Sequence, residues 1–267
     1  YDAIMENNEI KKFLKIPKIA KCVILVASGK GGVGKSTFAL NLALTFKYFK
    51  LSVGLLDADI YGPSLSKLLN TREQPKIENK NFLPIEVHGL KTMSIGYLIS
   101  EEIANIWRGP MVIKAVTKLL RDVAWGDLDI LIIDTPPGTG DVQLTISQKI
   151  DVTGALIVTT PQELSLLDAK RGINMFKKVN LPILGVVENM SYYICNKCKK
   201  KHYIFGKQSS HKLNNNLGIE VLGELPISEN LIKNHDTEHP ILMQKQSDII
   251  FRSFYEISKK VLNKIKI

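Results

Sequence analysis

The chain has 267 residues, 45% of them hydrophobic and 23% charged, which is ordinary for a globular protein of one large domain or two small ones. Three cysteines, an odd number, exclude a disulfide framework and point to a reducing compartment, the cytoplasm or the mitochondrial matrix. The net charge of +10 is scattered, with no aromatic-interleaved basic stripe, and no apolar run approaches the roughly 20 residues of a membrane span. Neither nucleic-acid binding nor stable membrane insertion is therefore expected.

Residues 1–20 read as an amino-terminal extension; YDAIMENNEIKK carries acids and lacks the apolar centre of a signal peptide. Residues 21–267 read as one domain. It opens on the apolar run CVILVA at 22–27, a strand in which Cys22 is expected to be a buried small apolar residue. The next segment, 29–37, reads GKGGVGKST. Its frame Gly29-x4-Gly34-Lys35-Ser36 is a phosphate-binding loop. Gly29, Gly31, Gly32 and Gly34 let the backbone of Lys30, Val33 and their neighbours wrap close to phosphate oxygens. The helix opened by Ser36 and Thr37 points its positive end at the same oxygens. Lys35 is placed to neutralise β- and γ-phosphate charge, and the Ser36 hydroxyl to bind Mg²⁺. A second lysine, Lys30, follows the first glycine. One lysine suffices for the loop, so Lys30 is expected to do something further.

A helix over 35–49 follows, with Phe38, Leu42 and Phe46 on one face. The strand at 52–56 runs into Asp57-Ala58-Asp59. Carboxylates at i and i+2 share one side, and Asp59, further out, is the candidate to orient an attacking water beside a γ-phosphate. Asp57 reads more simply as a turn or cap residue. The polar stretch 71–84, with two prolines, reads as a mobile surface loop. Further strands are expected at 91–95, 129–133, 153–159, 183–188 and 219–222, and helices at 110–123, 163–178, 207–217 and 247–264. This alternation predicts an α/β fold, a mostly parallel central sheet with helices on both faces. LDILIID and GALIVTT are nearly continuous apolar runs, as strands covered on both faces should be. Asp134 ends the first of these, before Thr135-Pro136-Pro137-Gly138. A carboxylate there is the usual second Mg²⁺ contact, and Gly138 gives a loop able to approach a γ-phosphate.

Residues 190–206 read as a hairpin insert carrying Cys195-Asn196-Lys197-Cys198. Such a pair can bind metal, exchange redox equivalents, form a disulfide or be incidental. Two thiolates complete neither a [4Fe–4S] site nor a four-cysteine zinc site, and the chain has no second CxxC. A two-fold dimer would supply the missing pair. His202 makes a CxxC-x3-His that would suit zinc instead; as a lone histidine it reads first as a surface residue.

The segments GKGGVGKST, GLLDADIYGPS, IWRGPM, WGDLDILIIDTPPGTGDVQL, VTTPQELSLLDAKRG, ILGVVENMSYYICNKCKKKHYIFG and VLGELPIS occur in that order. Together they resemble the Mrp/ApbC family of P-loop ATPases, iron–sulfur cluster carriers and scaffolds of the MinD/nitrogenase-iron-protein class. The resemblance covers roughly 20–245, without the small amino-terminal domain of many bacterial members. The CNKCKKKHYIFG segment is most similar to the mitochondrial branch that serves respiratory complex I. Lys207-Gln208-Ser209-Ser210 and His239 depart from glycines usual in the family. The resemblance implies a SIMIBI-type fold with a deviant Walker A loop and slow ATP hydrolysis. In such a fold Lys30 reaches a partner's nucleotide, Asn189 reads the adenine edge, and the turn after Leu225 packs on the base. It further implies a homodimer whose Cys195 and Cys198 pairs bridge a [4Fe–4S] cluster taken from upstream donors and delivered to apo-proteins. Two other readings stand beside it. One is a MinD/ParA-like positioning ATPase, using the basic, periodic carboxyl-terminal segment at a surface. The other is a reductase in which the cluster passes electrons.

Overall fold

The computed structural model describes residues 16–71, 73–98, 109–138, 140–195, 197–207, 215, 217–228 and 249–267. Strand β1 (Cys22–Ser28) is buried at every position, including Cys22. It leads through the phosphate loop into α1 (Lys35–Tyr48). Then come β2 (Val53–Asp57), a single turn α2 (Leu65–Leu68), and the short strands β3 (Ile77–Glu78), β4 (Asn81–Phe82) and β5 (Ile85–Val87). They are followed by β6 (Leu90–Ser94), α3 (Gly109–Arg121), β7 (Ile130–Asp134), α4 (Asp141–Lys149), β8 (Gly154–Thr159) and α5 (Glu163–Lys178). The chain closes with β9 (Ile183–Ile194), β10 (Lys201–His202), β11 (Val221–Ile227) and α6 (Ile249–Ile265).

The main sheet runs β10-β9-β8-β1-β7-β2-β6-β5, with β11 also pairing β9. All pairings are parallel except β5 with β6 and β10 with β9. The chain moves from β1 toward β2 in one direction and from β7 toward β8 in the other. Right-handed crossovers therefore place α1 on one face and α4 on the opposite face. α1 packs over β1, β7 and β2 and shares its face with α6, where Phe38 stacks on Phe254 at 5.7 Å between ring centroids. α5 covers β8, β1 and β9, and α3 packs on α4. Phe38, Leu42 and Phe46 are buried on α1, as their spacing predicts. The reversal of winding beside β1 leaves a crevice at the carboxyl ends of the strands, the usual binding position of such sheets.

The structure departs from the sequence reading in places. The stretch 71–84 is not featureless: β3 and β4 pair as a small hairpin, and the Phe82 backbone bonds both Asp122 and Ala124. α4 carries too weak an apolar period to be seen beforehand. β9 runs 12 residues where six were expected, because β11 and β10 continue the pairing that β8 leaves at Glu188. The 207–217 helix lies almost wholly outside the described residues, as do Arg108 and His239. α6 buries Ile250, Phe251, Phe254, Ile257, Val261 and Ile265 against β11 and α1. Its apolar face is part of the core and is not available to a membrane surface. No described helix is long and apolar enough to cross a membrane.

Candidate functional site: a phosphate cradle and a thiol hairpin

Glycine is required in the loop for two different reasons. A Cβ on Gly29 would lie 2.2 Å from the Asp168 carbonyl carbon, because the backbone of α5 packs directly on the loop. Gly34 sits at φ 80°, and a Cβ there would meet Asn189 Nδ2 at 2.3 Å. Asn189 itself donates from Nδ2 to the Val33 carbonyl at 2.8 Å. The middle of β9 thus braces the phosphate loop. The loop, Asp59, Gly62, Ser64, Leu68 and Pro137 enclose a cavity of about 270 Å³.

Lys35 is buried, and its ammonium lies against Asp134 Oδ1 and 3.8 Å from Asp59 Oδ2. Ser36 Oγ is 3.5 Å from the same ammonium. Registry explains the convergence. Asp134 pairs with Asp57 at the end of β2, so β7 and β2 finish level and bring Asp134, and Asp59 two residues past β2, to the same ammonium. The Gly138 N–H donates to the Ser28 carbonyl at 2.8 Å, which ties the loop after β7 to the phosphate loop. Lys30 is only partly buried, and among the described residues no carboxylate lies within ion-pair distance of its ammonium.

Asp57 is a cap, as its simpler reading held. Its Oδ1 accepts the Asp59 N–H, and its Oδ2 accepts the Ser64 and Leu65 N–H groups and the Ser94 hydroxyl. It holds in place the loop that carries Asp59. Burial pushes Asp57 up to about 7 and Asp59 up to about 6, with the nearby Asp134 charge adding to both shifts and Lys35 opposing them. Both folded values exceed the ordinary 3.8, so the folded chain keeps protons that the unfolded chain has lost. These groups therefore favour folding at low pH, and that contribution is lost as pH rises through about 6 to 7. Denaturant midpoints taken between about pH 4.5 and 8, without nucleotide or Mg²⁺, should show a shallower loss with rising pH in Asp59→Asn than in wild type. Equal slopes would remove Asp59 from this titration.

Gln143 was not singled out from sequence. It is buried on α4 and donates from Nε2 to the Pro136 carbonyl and the Thr135 hydroxyl, which holds the loop after Asp134. No sequence signal marked it, because an amide that serves a loop looks like any polar helical residue. It lines a second cavity, of about 440 Å³, that shares Asp59, Gly62 and Pro137 with the first.

Just past the end of β9 lies the cysteine pair. Both thiols are free; Cys195 is half-buried and Cys198 exposed. The Lys199 N–H donates to the Cys195 carbonyl and the Cys195 N–H to the Lys200 carbonyl, closing a tight turn with Lys199 at φ 58°. The backbone N–H groups of Cys198 and Lys197, pointing at the Cys195 sulfur, hold its thiol below the ordinary range. Lys197, Lys199, Lys200 and Lys201 stand exposed around the turn.

A winding reversal at a glycine loop, a buried lysine and two strand-end carboxylates define a P-loop NTPase. The chain belongs to the ParA family: residues 19–262 match the family model described as NUBPL iron-transfer P-loop NTPase. It is similar to the iron–sulfur cluster transfer protein NUBPL of Mus musculus, at 46% identity over 91% of this chain and 77% of that protein. It is also similar to the Arabidopsis thaliana iron–sulfur protein required for NADH dehydrogenase, mitochondrial, at 43% identity over 92% and 79%. The iron–sulfur cluster carrier protein of Aquifex aeolicus is 45% identical over 92% and 68%. Among solved structures, a nucleotide-binding protein of Archaeoglobus fulgidus in complex with ADP, with Co, superposes with a TM-score of 0.73 at 34% identity, covering 87% of this chain and 94% of that one. The MinD cell division ATPase of Pyrococcus furiosus, at 20% identity and a TM-score of 0.69, shares the fold.

Proposed function

We propose that the chain is an ATP-hydrolysing carrier of [4Fe–4S] clusters, which holds its cargo between two copies of itself and delivers it to apo-proteins. The observation that carries this reading is a single strand, β9. It braces the phosphate loop through Asn189 and ends in the CxxC turn. The names of the relatives supply the cargo class. One of those names is mitochondrial and another belongs to a bacterium, which supports the mitochondrial matrix or a bacterial cytoplasm as the compartment. Positioning at a membrane surface is disfavoured because α6 has its apolar face in the core.

In this reading Lys35 neutralises the β- and γ-phosphates, and Asp59, beside it, orients the attacking water. Mg²⁺ would be held by Ser36 Oγ and Asp134, oxygen ligands of the kind it takes, and would neutralise charge at the leaving phosphate. The Asn189 side-chain carbonyl, whose amide is already engaged with Val33, is the group offered to the adenine edge. Lys30, without an ion-pair partner among the described residues of its own chain, serves the partner's nucleotide. Lys30→Ala should accordingly keep nucleotide affinity within about three-fold of wild type and lower turnover at least ten-fold, because arginine- or lysine-type donors supplied across an interface act on the transition state. Wild-type turnover in Lys30→Ala would end the trans assignment.

The test of the whole reading is anaerobic reconstitution with iron and sulfide, followed by metal analysis and sizing. A cluster ligated by four thiolates predicts about four iron and four sulfide per two chains. A stable cluster on a proven monomer, or no iron uptake at all, would overturn it.

A further inference from the structure

We propose that His202 completes, with Cys195 and Cys198, a mononuclear site for a soft divalent ion of the zinc class, one per chain, with its fourth position open. Sequence spacing alone offers His202 as a zinc ligand but reads it first as a surface residue. The hairpin register changes that reading. Residues directly opposite on an antiparallel pair share a face, and so do residues two apart on a strand. His202 is opposite Tyr193, and Cys195 is two residues beyond Tyr193. His202 is therefore delivered to the Cys195 face, and the turn closed by the Cys195 and Lys199 backbone bonds folds Cys198 onto the same side.

The distances fit an ion. With metal–sulfur and metal–nitrogen bonds of roughly 2.3 and 2.0 Å, a tetrahedral ion holds a sulfur and a nitrogen about 3.5 Å apart and two sulfurs about 3.8 Å apart. Cys198 Sγ and His202 Nε2 are 3.7 Å apart. All three ligand atoms lie within 4.8 Å of one another, the only such group of three among the described residues. The Lys197 and Cys198 N–H groups that point at the Cys195 sulfur also favour a thiolate there. Two thiolates and an imidazole make a zinc-type donor set, and three protein ligands leave one position for water or an incoming ligand.

The site stands on one hairpin and needs no second chain. Its consequence for cargo rests on the carrier reading above. The cluster and the single ion use the same two thiolates, so they are competing occupants. Loading a cluster then means that each hairpin releases its ion and His202 lets go of the metal. No electron moves in this exchange: per chain, two metal–sulfur bonds and one metal–nitrogen bond break as the ion leaves with water in their place, and two iron–sulfur bonds form as the upstream donor gives up two of its own. The ion would keep the thiols from oxidising between deliveries.

Cobalt(II) is the probe, added anaerobically to the full reduced chain and followed by absorption. The expected result is saturation at one Co²⁺ per chain, with sulfur-to-cobalt charge-transfer absorption in the near ultraviolet and the strong visible bands of a tetrahedral ion, both bleached by Zn²⁺. His202→Ala should weaken cobalt binding at least ten-fold and lower the visible bands, and His202→Cys should restore both. Unfolding midpoints of the variants check that the fold is intact. Equal affinity and spectra in wild type and His202→Ala would overturn the proposal and leave a thiol–imidazole hydrogen bond only. Saturation at one Co²⁺ per two chains would overturn it as well, as a thiolate site shared between copies. Iron–sulfur reconstitution is scored separately. Absence of a cluster from wild type would refute the carrier reading while leaving the cobalt result intact.

Discussion

Replacing Lys35 with alanine is expected to bring ATP turnover below about one per cent of wild type and to weaken nucleotide binding at least ten-fold. Two losses add. The first is the charge that the β- and γ-phosphates meet, in a site where charge-assisted contacts are about twice as strong as neutral ones. The second is structural. Lys35 lies against Asp134, and both side chains are buried. Removing one partner of a buried pair leaves the other uncompensated, which costs on the order of 3–5 kcal/mol. The variant should therefore be less stable as well as inactive. The double variant Lys35→Ala/Asp134→Asn separates the two losses, because it removes the stranded charge. It should regain much of the stability and none of the turnover. If Lys35→Ala keeps more than about a tenth of wild-type turnover, Lys35 is not the phosphate lysine.

The second large effect is on cargo. Cys195→Ala and Cys198→Ala should each abolish a reconstituted cluster, because two copies would then offer two thiolates where four are needed. Iron after desalting should fall to background, and the visible iron–sulfur absorption should vanish. Cys22→Ala should hold wild-type iron, since that thiol opens β1 and is buried away from the hairpin. ATP turnover should persist in the hairpin variants, whose residues take no part in the cradle. Full iron content in either hairpin variant would remove the pair from the cargo site.

Much of this was legible in the sequence, for identifiable reasons. The phosphate loop is read from backbone requirements, and Gly29 and Gly34 meet them: one is pressed on α5, the other sits at positive φ. The central strands were visible because strands covered on both faces have no polar alternation to confuse them. Asp57 and Asp59 look alike as letters. Position at the strand end separates them in the sequence, and the structure supplies the reason: one accepts four donors and the other faces Lys35. α4 was missed because its apolar period is weak, and Gln143 because it serves the preceding loop, through the Pro136 carbonyl and the Thr135 hydroxyl, which no periodic pattern marks. His202 was legible only in part: its CxxC-x3-His spacing suits zinc, but nothing in the spacing ranks that above a surface residue. Spacing along a chain does not say which side of a hairpin a residue takes; register does.

The strand that carries the cysteines has one more consequence, for how two chains find each other. A CxxC hung on a flexible tether would offer its thiols at roughly millimolar effective concentration, in any orientation. Here the turn grows directly from β9, an interior strand held on both sides, so its thiols inherit the orientation of the whole sheet. Their effective concentration toward a second copy is close to zero until the two sheets face each other, and rises steeply once they do. In the proposed dimer, the affinity for cargo is then a readout of domain docking, and whatever sets the docking sets the moment of release.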